Sequence, residues 1–331
     1  MKCTNKLRLL CLLGVAAVFI SGCKNSTMSF ENPYDIYGTT AEYGISVSAD
    51  AAEKSYFSES LCVAEDVNSV VEDQNLVHSD VAEAAGVFNL AQNRVTYSQN
   101  IYKKMYPAST TKIMTAYLAI KYGNLDDFVT ISENAVDQAS DSSVCGLRAG
   151  DVVKLRDLLY GLMLRSGNDA AIAIAEHISG NTEAFVALMN QEALAMGATS
   201  THFCNPNGMP DENHYTSVYD LYLLMQNAVK DPAFTEILQA ESRDVIYTNA
   251  AGEAVEITWN NTNRYVSGQT SAPEGISVVG GKTGTTGDAG YCLMLYSYNA
   301  SNEPIISIVL KTGGRSDLYL LMNDLLGNYA N

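Results

Sequence analysis

The sequence predicts an α+β fold (α/β in a coarser classification), in which helices flank an antiparallel sheet. Two strand-like segments come first, a run of helices follows them, several strand-like segments come next, and an amphipathic helix closes the chain. This order is typical of one antiparallel sheet that carries its helices on its surface.

The individual elements follow from hydrophobic period and from turn residues. "AAGVFNL" and "VTYSQN" read as strands around a polar turn, and "STTKIMTAYLAIKYG" reads as a helix that begins at a serine and ends at Gly123. Two apolar helices are broken at residues 166–168, "SGN", and two amphipathic helices follow, "NTEAFVALMNQEALAMG" and "SVYDLYLLMQNAV". The later strands are "RDVIYTNA", "AVEITWNN", "GISVVGGKTG", "AGYCLMLYSYN" and "PIISIVLKTGG", before the helix "SDLYLLMNDLLGNY".

The N-terminus has the pattern of an export signal. A basic start precedes an apolar run at 9–20, which is too short for an ordinary transmembrane helix. The run ends in "ISGC", which resembles a bacterial lipoprotein site with Cys23 as the lipidated residue. We expect a signal peptide at 1–22 and a lipid on Cys23 that holds the protein to a membrane outside the cytoplasm. An ordinary cleaved signal is the alternative.

Residues 23–77 are rich in Ser, Ala, Asp, Glu and Asn and show no sustained period. This composition predicts a flexible, lipid-anchored tether, with a small extra subdomain as the alternative. The folded domain is then expected at 78–331.

Composition excludes some classes of function. The net charge of −17 argues against a nucleic-acid partner, because phosphate binding needs concentrated Lys and Arg. We expect no metal site, since zinc-binding spacings such as C-x-x-C and H-E-x-x-H do not occur and the four histidines are scattered. Beyond the signal and Cys23, four cysteines remain in a compartment that permits disulfides, and their pairing stays open: Cys62, Cys145, Cys204 and Cys292.

A Ser-x-x-Lys motif occurs at Ser109 and Lys112, just after Pro107, where a helix is expected to begin. Residues three apart share a helix face, so the Lys112 amine can lie over the Ser109 hydroxyl. By itself the motif is weak, because Ser109 could be a helix N-cap and Lys112 a solvated side chain.

A lysine that acts as a base must be neutral. Lowering its pKa from about 10.4 to about 7 means disfavouring the cation by roughly 4 to 5 kcal/mol. Burial and a second cation about 4 Å away can supply this energy. The Lys-Thr-Gly triplet that starts at Lys282 offers such a cation. A second triplet starts at Lys311, where we expect a structural junction.

Four stretches together closely resemble the serine D-alanyl-D-alanine carboxypeptidases, the low-molecular-mass penicillin-binding proteins. They are "YPASTTKIMTAYLAI", "LLYGLMLRSGNDAAIAIAEHISG", "THFCNPNGMPDENHYTSVYDL" and "GGKTGTTGDAGYCLML", and they contain Ser-x-x-Lys, Ser-x-Asn and Lys-Thr-Gly in the family order. The resemblance runs from about residue 80 to the C-terminus. It implies a β-lactamase/transpeptidase-like domain with a helical subdomain.

The resemblance also implies the catalytic roles. Ser109 would be the nucleophile, acylated by the penultimate D-Ala of a peptidoglycan stem peptide that ends in D-Ala-D-Ala, and Lys112 would activate it. Ser166 would relay a proton, and the Asn168 amide would hold the substrate backbone. β-Lactams would be covalent inhibitors, and no cofactor would take part.

The remaining binding residues are implied on the Lys-Thr-Gly strand. Lys282 would polarise the site, Thr283 would bind the terminal carboxylate, and the backbone N–H groups of Ser109 and Thr285 would form the oxyanion hole. Gly284 and its small neighbours would let the peptide lie alongside as an added strand.

Three alternatives remain to be weighed against a carboxypeptidase. A β-lactamase is disfavoured, because the E-x-x-L-N loop of class A enzymes is missing between 169 and 215. A non-catalytic β-lactam-binding lipoprotein would have degraded motifs, whereas these are intact. A D,D-endopeptidase of the same family remains an alternative function. The sequence also leaves undecided the identity of the third stem-peptide residue and the type of cell envelope. The residues "TTGDAG" after the triplet differ from those of many relatives at this place. Many relatives also carry a C-terminal β-rich domain, which we expect to be absent here.

Overall fold

The computed structural model describes residues 60–63 and 79–330. The predicted signal peptide at 1–22 and the predicted lipid on Cys23 lie outside these residues, as does the predicted tether apart from 60–63. Within the described ranges, no helix combines the length and the apolar character needed to cross a bilayer.

The described residues form nine strands and eight α-helices. The strands are β1 (Ala82–Asn89), β2 (Arg94–Gln99), β3 (Phe128–Thr130), β4 (Val152–Lys154), β5 (Ser242–Thr248), β6 (Ala254–Asn260), β7 (Ser277–Thr286), β8 (Gly290–Tyr298) and β9 (Pro304–Thr312). The helices are α1 (Lys112–Tyr122), α2 (Glu133–Val136), α3 (Leu155–Leu164), α4 (Asn168–Ser179), α5 (Thr182–Ala195), α6 (Val218–Ala228), α7 (Pro232–Leu238) and α8 (Arg315–Tyr329).

The main sheet is antiparallel, with the strand order β2-β1-β9-β8-β7. Its middle strands are buried on both faces, because side chains alternate and each face has its own core. In β9, Ile306 and Ile308 belong to the larger core with the helices, whereas Ile305 and Val309 contact the apolar side of α8. The α+β class predicted from the sequence is therefore confirmed, and β7, which carries the Lys-Thr-Gly triplet, lies at a sheet edge.

One part of the predicted architecture is wrong, because the strands form two sheets. The smaller sheet has the order β3-β4-β5-β6. Its strands β3 and β4 are only three residues long, too short for a hydrophobic period to reveal. In β5, buried Val245 alternates with Ile246, which is 67% exposed, so this sheet buries one face on the helices and leaves the other to solvent.

Helix α1 runs through the centre of the helical region and is apolar nearly all round. Seven of its eleven residues are buried, among them Lys112. A helix that is apolar all round must be covered on every side, and α3, α4 and α6 surround it. This burial places the first turn of α1 at the interface between the helices and the main sheet.

Residues 60–63, which lie within the predicted tether, are bound to the domain. The backbone N–H of Cys62 donates to Tyr222 Oη at 2.9 Å, and Tyr219 Oη donates to the Cys62 carbonyl at 3.0 Å. Val63 forms a parallel bridge with Arg94 of β2. Cys62 is part of the hydrophobic core, and Leu61 packs against it. The tyrosines of α6 form the hydrogen bonds that the backbone of Cys62 needs.

The four cysteines in the described part of the chain are unpaired thiols: Cys62, Cys145, Cys204 and Cys292. The second Lys-Thr-Gly triplet is a structural junction, as the sequence predicts. Lys311 has a positive φ of 60°, and its amine forms an ion pair with Glu83 at 2.6 Å.

Candidate active site

Ser109 and Lys112 are brought together by a short 3₁₀ turn. The turn comprises Ala108–Thr111 and leads directly into α1. Side chains three residues apart eclipse each other in a 3₁₀ turn, and Lys112 Nζ lies 3.0 Å from Ser109 Oγ. The Ser109 hydroxyl does not cap the helix, and Lys112 is fully buried, so neither residue is an ordinary surface or capping group.

The other two partners of the Lys112 amine are hydrogen-bond acceptors. They are Asn168 Oδ1, at 2.8 Å, and the backbone carbonyl of Asn207. A neutral amine has two N–H groups and one lone pair. The two acceptors use the N–H groups, and the lone pair is then left for the hydroxyl proton of Ser109. This arrangement suits a base that takes a proton from Ser109.

Electrostatics favours the neutral form of this amine. Burial lowers the pKa of Lys112 well below its ordinary value, and the positive charge of Lys282 lowers it further. Asp169 and Cys145 act in the opposite direction and do not reverse the shift. The pairing of two lysines predicted from the sequence is therefore present.

Lys282 lies on β7 and is 1% exposed, and burial lowers its pKa to about 7. Its amine donates to Ser166 Oγ at 2.9 Å and to its neighbour's carbonyl, Thr283 O, at 2.8 Å. Ser166 adopts a positive φ of 60° in the turn between α3 and α4. This turn directs Ser166 toward one lysine and Asn168 toward the other.

The carboxylate of Asp169 holds the segment 143–147 beside this turn. It is 2% exposed and accepts backbone N–H groups from Cys145 at 2.9 Å, Gly146 at 3.1 Å and Leu147 at 3.3 Å. The backbone N–H of Asn168 donates to the carbonyl of Ser143 at 2.8 Å. No residue type in the sequence indicates this role, because the donors are backbone groups more than twenty residues away.

His214 supports the other side of the Lys112 amine. Its Nδ1 accepts the backbone N–H of Cys204 at 3.1 Å, so Nε2 carries the proton and donates to Thr111 Oγ1 at 2.9 Å. Burial lowers its pKa to about 4, which keeps the ring neutral. The loop it fixes supplies the Asn207 carbonyl. His214 lies in the stretch "THFCNPNGMPDENHYTSVYDL", and its role was not predicted from the sequence.

The glycines of β7 lie close to the backbone of neighbouring segments. A Cβ on Gly284 would lie 2.9 Å from Ser109 N and 3.1 Å from Pro107 O, and a Cβ on Gly281 would lie 2.1 Å from Met294 O. These glycines therefore admit neighbouring backbone of the same chain. Gly287, in the turn after β7, opens onto free space without a positive φ.

Two recesses meet at Ser109. The first recess has a volume of about 160 Å³, and the charged groups on its walls are Arg165 and Arg315, beside Thr283 and Ser166. Both arginines are exposed and were missed from the sequence. The one available signal was the "LKTGGRS" stretch, in which Arg315 follows the structural triplet. Guanidinium groups suit a carboxylate.

The second recess has a volume of about 200 Å³ and lies on the other side of Ser109. Its walls include Asp141, Asn168, Met209 and Gly287. Thr285 lines both recesses. Elsewhere in the described ranges, no group of three or more His, Cys, Asp or Glu side chains is placed to hold a metal ion.

The chain is similar to several D-alanyl-D-alanine carboxypeptidases. It is 33% identical over 233 residues to D-alanyl-D-alanine carboxypeptidase DacF of Bacillus subtilis, and this alignment covers 69% of this chain and 57% of DacF. It is 36% identical over 214 residues to D-alanyl-D-alanine carboxypeptidase DacA of Haemophilus influenzae, and this alignment covers 63% of this chain and 51% of DacA. The chain thus spans about half the length of these relatives.

The solved structure of the Streptomyces K15 DD-transpeptidase has the same fold, with a TM-score of 0.70 at 29% identity. The match covers 76% of this chain and 97% of that chain. A family model described as D-alanyl-D-alanine carboxypeptidase, peptidase S11, matches residues 67–314. The chain therefore belongs to the peptidase S11 family of D-alanyl-D-alanine carboxypeptidases.

Proposed function

We propose that this protein is a serine-type D-Ala-D-Ala carboxypeptidase that removes the terminal D-Ala from peptidoglycan stem peptides. The observation that carries the proposal is the environment of the Lys112 amine. Two acceptors take its N–H groups, and Ser109 Oγ lies 3.0 Å away at the remaining position. This geometry supports proton transfer from the serine to the lysine.

In the acylation step, Lys112 takes the Ser109 proton while Oγ attacks the carbonyl carbon of the penultimate D-Ala. The resulting oxyanion would be bound by the backbone N–H groups of Ser109 and Thr285. When the C–N bond breaks, the leaving amine of the terminal D-Ala takes a proton from Ser166. Lys112 then passes the proton that it took from Ser109 to the Ser166 oxygen, which restores both groups. A water molecule attacks the acyl carbonyl and gives its proton to Lys112, and Lys112 returns a proton to the Ser109 oxygen as the ester bond breaks.

Substrate binding would use both sides of Ser109. Thr283, Arg165 and Arg315 on the first recess would bind the terminal carboxylate. The Asn168 amide nitrogen, whose oxygen is already bonded to Lys112, can donate to a substrate carbonyl. The edge position of β7 is compatible with an extended peptide lying along it.

Labelled penicillin tests the nucleophile. We expect covalent labelling of the intact protein, and loss of labelling in Ser109→Ala. The matched control is Ser301→Ala, an exposed serine in the turn between β8 and β9, which should be labelled like the parent protein. Labelling of Ser109→Ala at the parent rate would contradict the proposal.

The same preparations separate a carboxypeptidase from a D,D-endopeptidase. A peptide that ends in D-Ala-D-Ala and a crosslinked muropeptide are supplied side by side, and released D-Ala is scored against split crosslinks. We expect D-Ala release to dominate. Crosslink cleavage without D-Ala release would establish the endopeptidase instead.

We also propose a lipoprotein organisation, with a signal peptide at 1–22, a lipid on Cys23, an anchoring segment at 23–77 and the peptidase domain at 78–331. The support is the "ISGC" sequence after a basic and apolar start. The enzyme would then act outside the cytoplasm at a membrane. Labelling of the full chain with a radioactive fatty acid tests this, and Cys23→Ala should abolish the label.

A further inference from the structure

The two recesses that meet at Ser109 carry opposite charges. Arg165 and Arg315 are the charged residues on the first recess. Asp141 is the charged residue on the second, among the described residues that line it. A ligand that spans Ser109 therefore passes from a cationic region to an anionic one. This asymmetry defines what the ligand should carry at each end.

Asp141 is available for a ligand. Its side chain is exposed, and within the described ranges it forms no ion pair with another residue of the chain. The neighbouring residue Ser142 lines the same recess, and its Oγ is buried behind the wall with no hydrogen-bond partner among the described residues. A carboxylate and an unsatisfied hydroxyl side by side suit a hydrogen-bond donor that carries positive charge.

The segment that carries Asp141 is fixed to the catalytic turn. Asp169 accepts the N–H groups of Cys145 and Gly146, and Ser143 O accepts the N–H of Asn168. The indole N–H of Trp259 donates to Cys145 O at 3.1 Å. Because these bonds start two residues after Asp141, the backbone that carries this residue is fixed beside Asn168.

The direction of the substrate decides which of its residues enters the second recess. If the terminal carboxylate lies in the first recess and the scissile carbonyl at Ser109, the rest of the peptide leaves through the second. The penultimate D-Ala offers only a methyl group. The residue before it lies about 3.3 Å further along an extended chain and is the first with a side chain long enough to reach the wall.

We propose that the second recess binds the side chain of the residue that precedes D-Ala-D-Ala, and that Asp141 selects a primary ammonium group there. This inference rests on the proposed function and adds the substrate class. An amine at the end of an aliphatic chain would place its stem against Met209 and Pro210 and its charge beside Asp141 and Ser142.

The test compares two tripeptides on the full-length protein. Both are acetylated at the α-amine and have the sequence Lys-D-Ala-D-Ala, but one has a free ε-amine and the other an acetylated ε-amine. We measure kcat/KM for D-Ala release from each at low and at high salt. The ratio of the two values cancels differences in the folded fraction between preparations.

We expect the parent protein to prefer the free amine by about threefold at low salt, as an exposed ion pair allows, and to lose most of this preference at high salt. Asp141→Asn should bring the ratio close to one, and Asp141→Lys should reverse it. Asp288→Asn is the matched control, because Asp288 is an exposed carboxylate that follows Gly287 of the recess wall but does not itself line the recess. It should keep the preference.

Two failures are distinguishable. Equal kcat/KM values for both peptides in the parent protein, or an unchanged preference in Asp141→Asn, would overturn the Asp141 site while the carboxypeptidase activity stands. A shift of the same size in Asp288→Asn would assign the preference to the overall negative charge and would also overturn it. If the protein releases D-Ala from neither of the two peptides, the proposed function itself is overturned.

Discussion

The amine of Lys112 and the carboxamide oxygen of Asn168 form a 2.8 Å hydrogen bond, although the two residues are 56 positions apart in the sequence. This bond ties the serine-lysine helix to the turn between α3 and α4. A neutral amide accepts an N–H without stabilising a positive charge as a carboxylate would. The residue type at 168 is therefore part of what keeps Lys112 neutral.

Asn168→Asp should raise the pKa of Lys112. A carboxylate within hydrogen-bond distance favours the ammonium form, and such pairs shift pKa values by about one to three units. The acid limb of the penicillin acylation rate should then move to higher pH. Asn302→Asp, at an exposed turn, is the control and should leave the limb in place. An unmoved limb in Asn168→Asp would show that Lys112 is not the titrating base.

Lys282→Met should move the same limb in the same direction. The charge of Lys282 lowers the pKa of Lys112, so its removal makes the Lys112 cation easier to form. The neutral fraction at a given pH falls, and acylation requires a higher pH. The rate will also fall because Ser166 loses its donor, so the position of the limb is the readout. Lys230→Met removes an exposed charge and serves as the control.

Gly284→Ala should slow acylation by about a hundredfold, because displacements near 1 Å at a reacting centre cost this much. The added methyl would lie 2.9 Å from the backbone nitrogen of Ser109, and β7 must move away from the nucleophile. The measurement is the rate of penicillin labelling, with thermal unfolding to verify the fold. Gly313→Ala is the matched control, since its Cβ would meet no atom within 4 Å. Equal rates in the two variants would refute the close contact.

His214 should make the stability of the domain depend on pH. Its pKa is about 4 in the folded state, below the ordinary value of 6.5, so the unfolded chain binds more protons between these values. The contribution of His214 to the free energy of unfolding should be complete above pH 6.5. It should fall as the pH decreases toward 4, by about 3 kcal/mol at most.

His214→Gln keeps both hydrogen bonds, because an amide can accept from Cys204 N–H and donate to Thr111. Urea titrations at several pH values, followed by the fluorescence of Trp259, should show a smaller pH dependence in this variant. The same slope in His214→Gln and in the parent protein would rule out this histidine as the cause.

Local sequence determined much of this protein. The helix that begins near Ser109, the two first strands and the five last ones follow from hydrophobic period and turn residues, which act over a few neighbours. The spacing of Ser109 and Lys112 placed their side chains together for the same reason. The need for a second cation near a lysine base pointed to Lys282, because charge effects depend on chemistry and not on chain order.

The tertiary structure decided what depends on distant segments. Arg315 and Asp141 look like ordinary surface charges in the sequence, and only the fold puts them on opposite sides of Ser109. Asp169 acts through backbone N–H groups, which no residue type reveals. The division into two sheets, and the reason for Gly284, likewise depend on which backbones meet. Such contacts join residues far apart along the chain, and no local pattern records them.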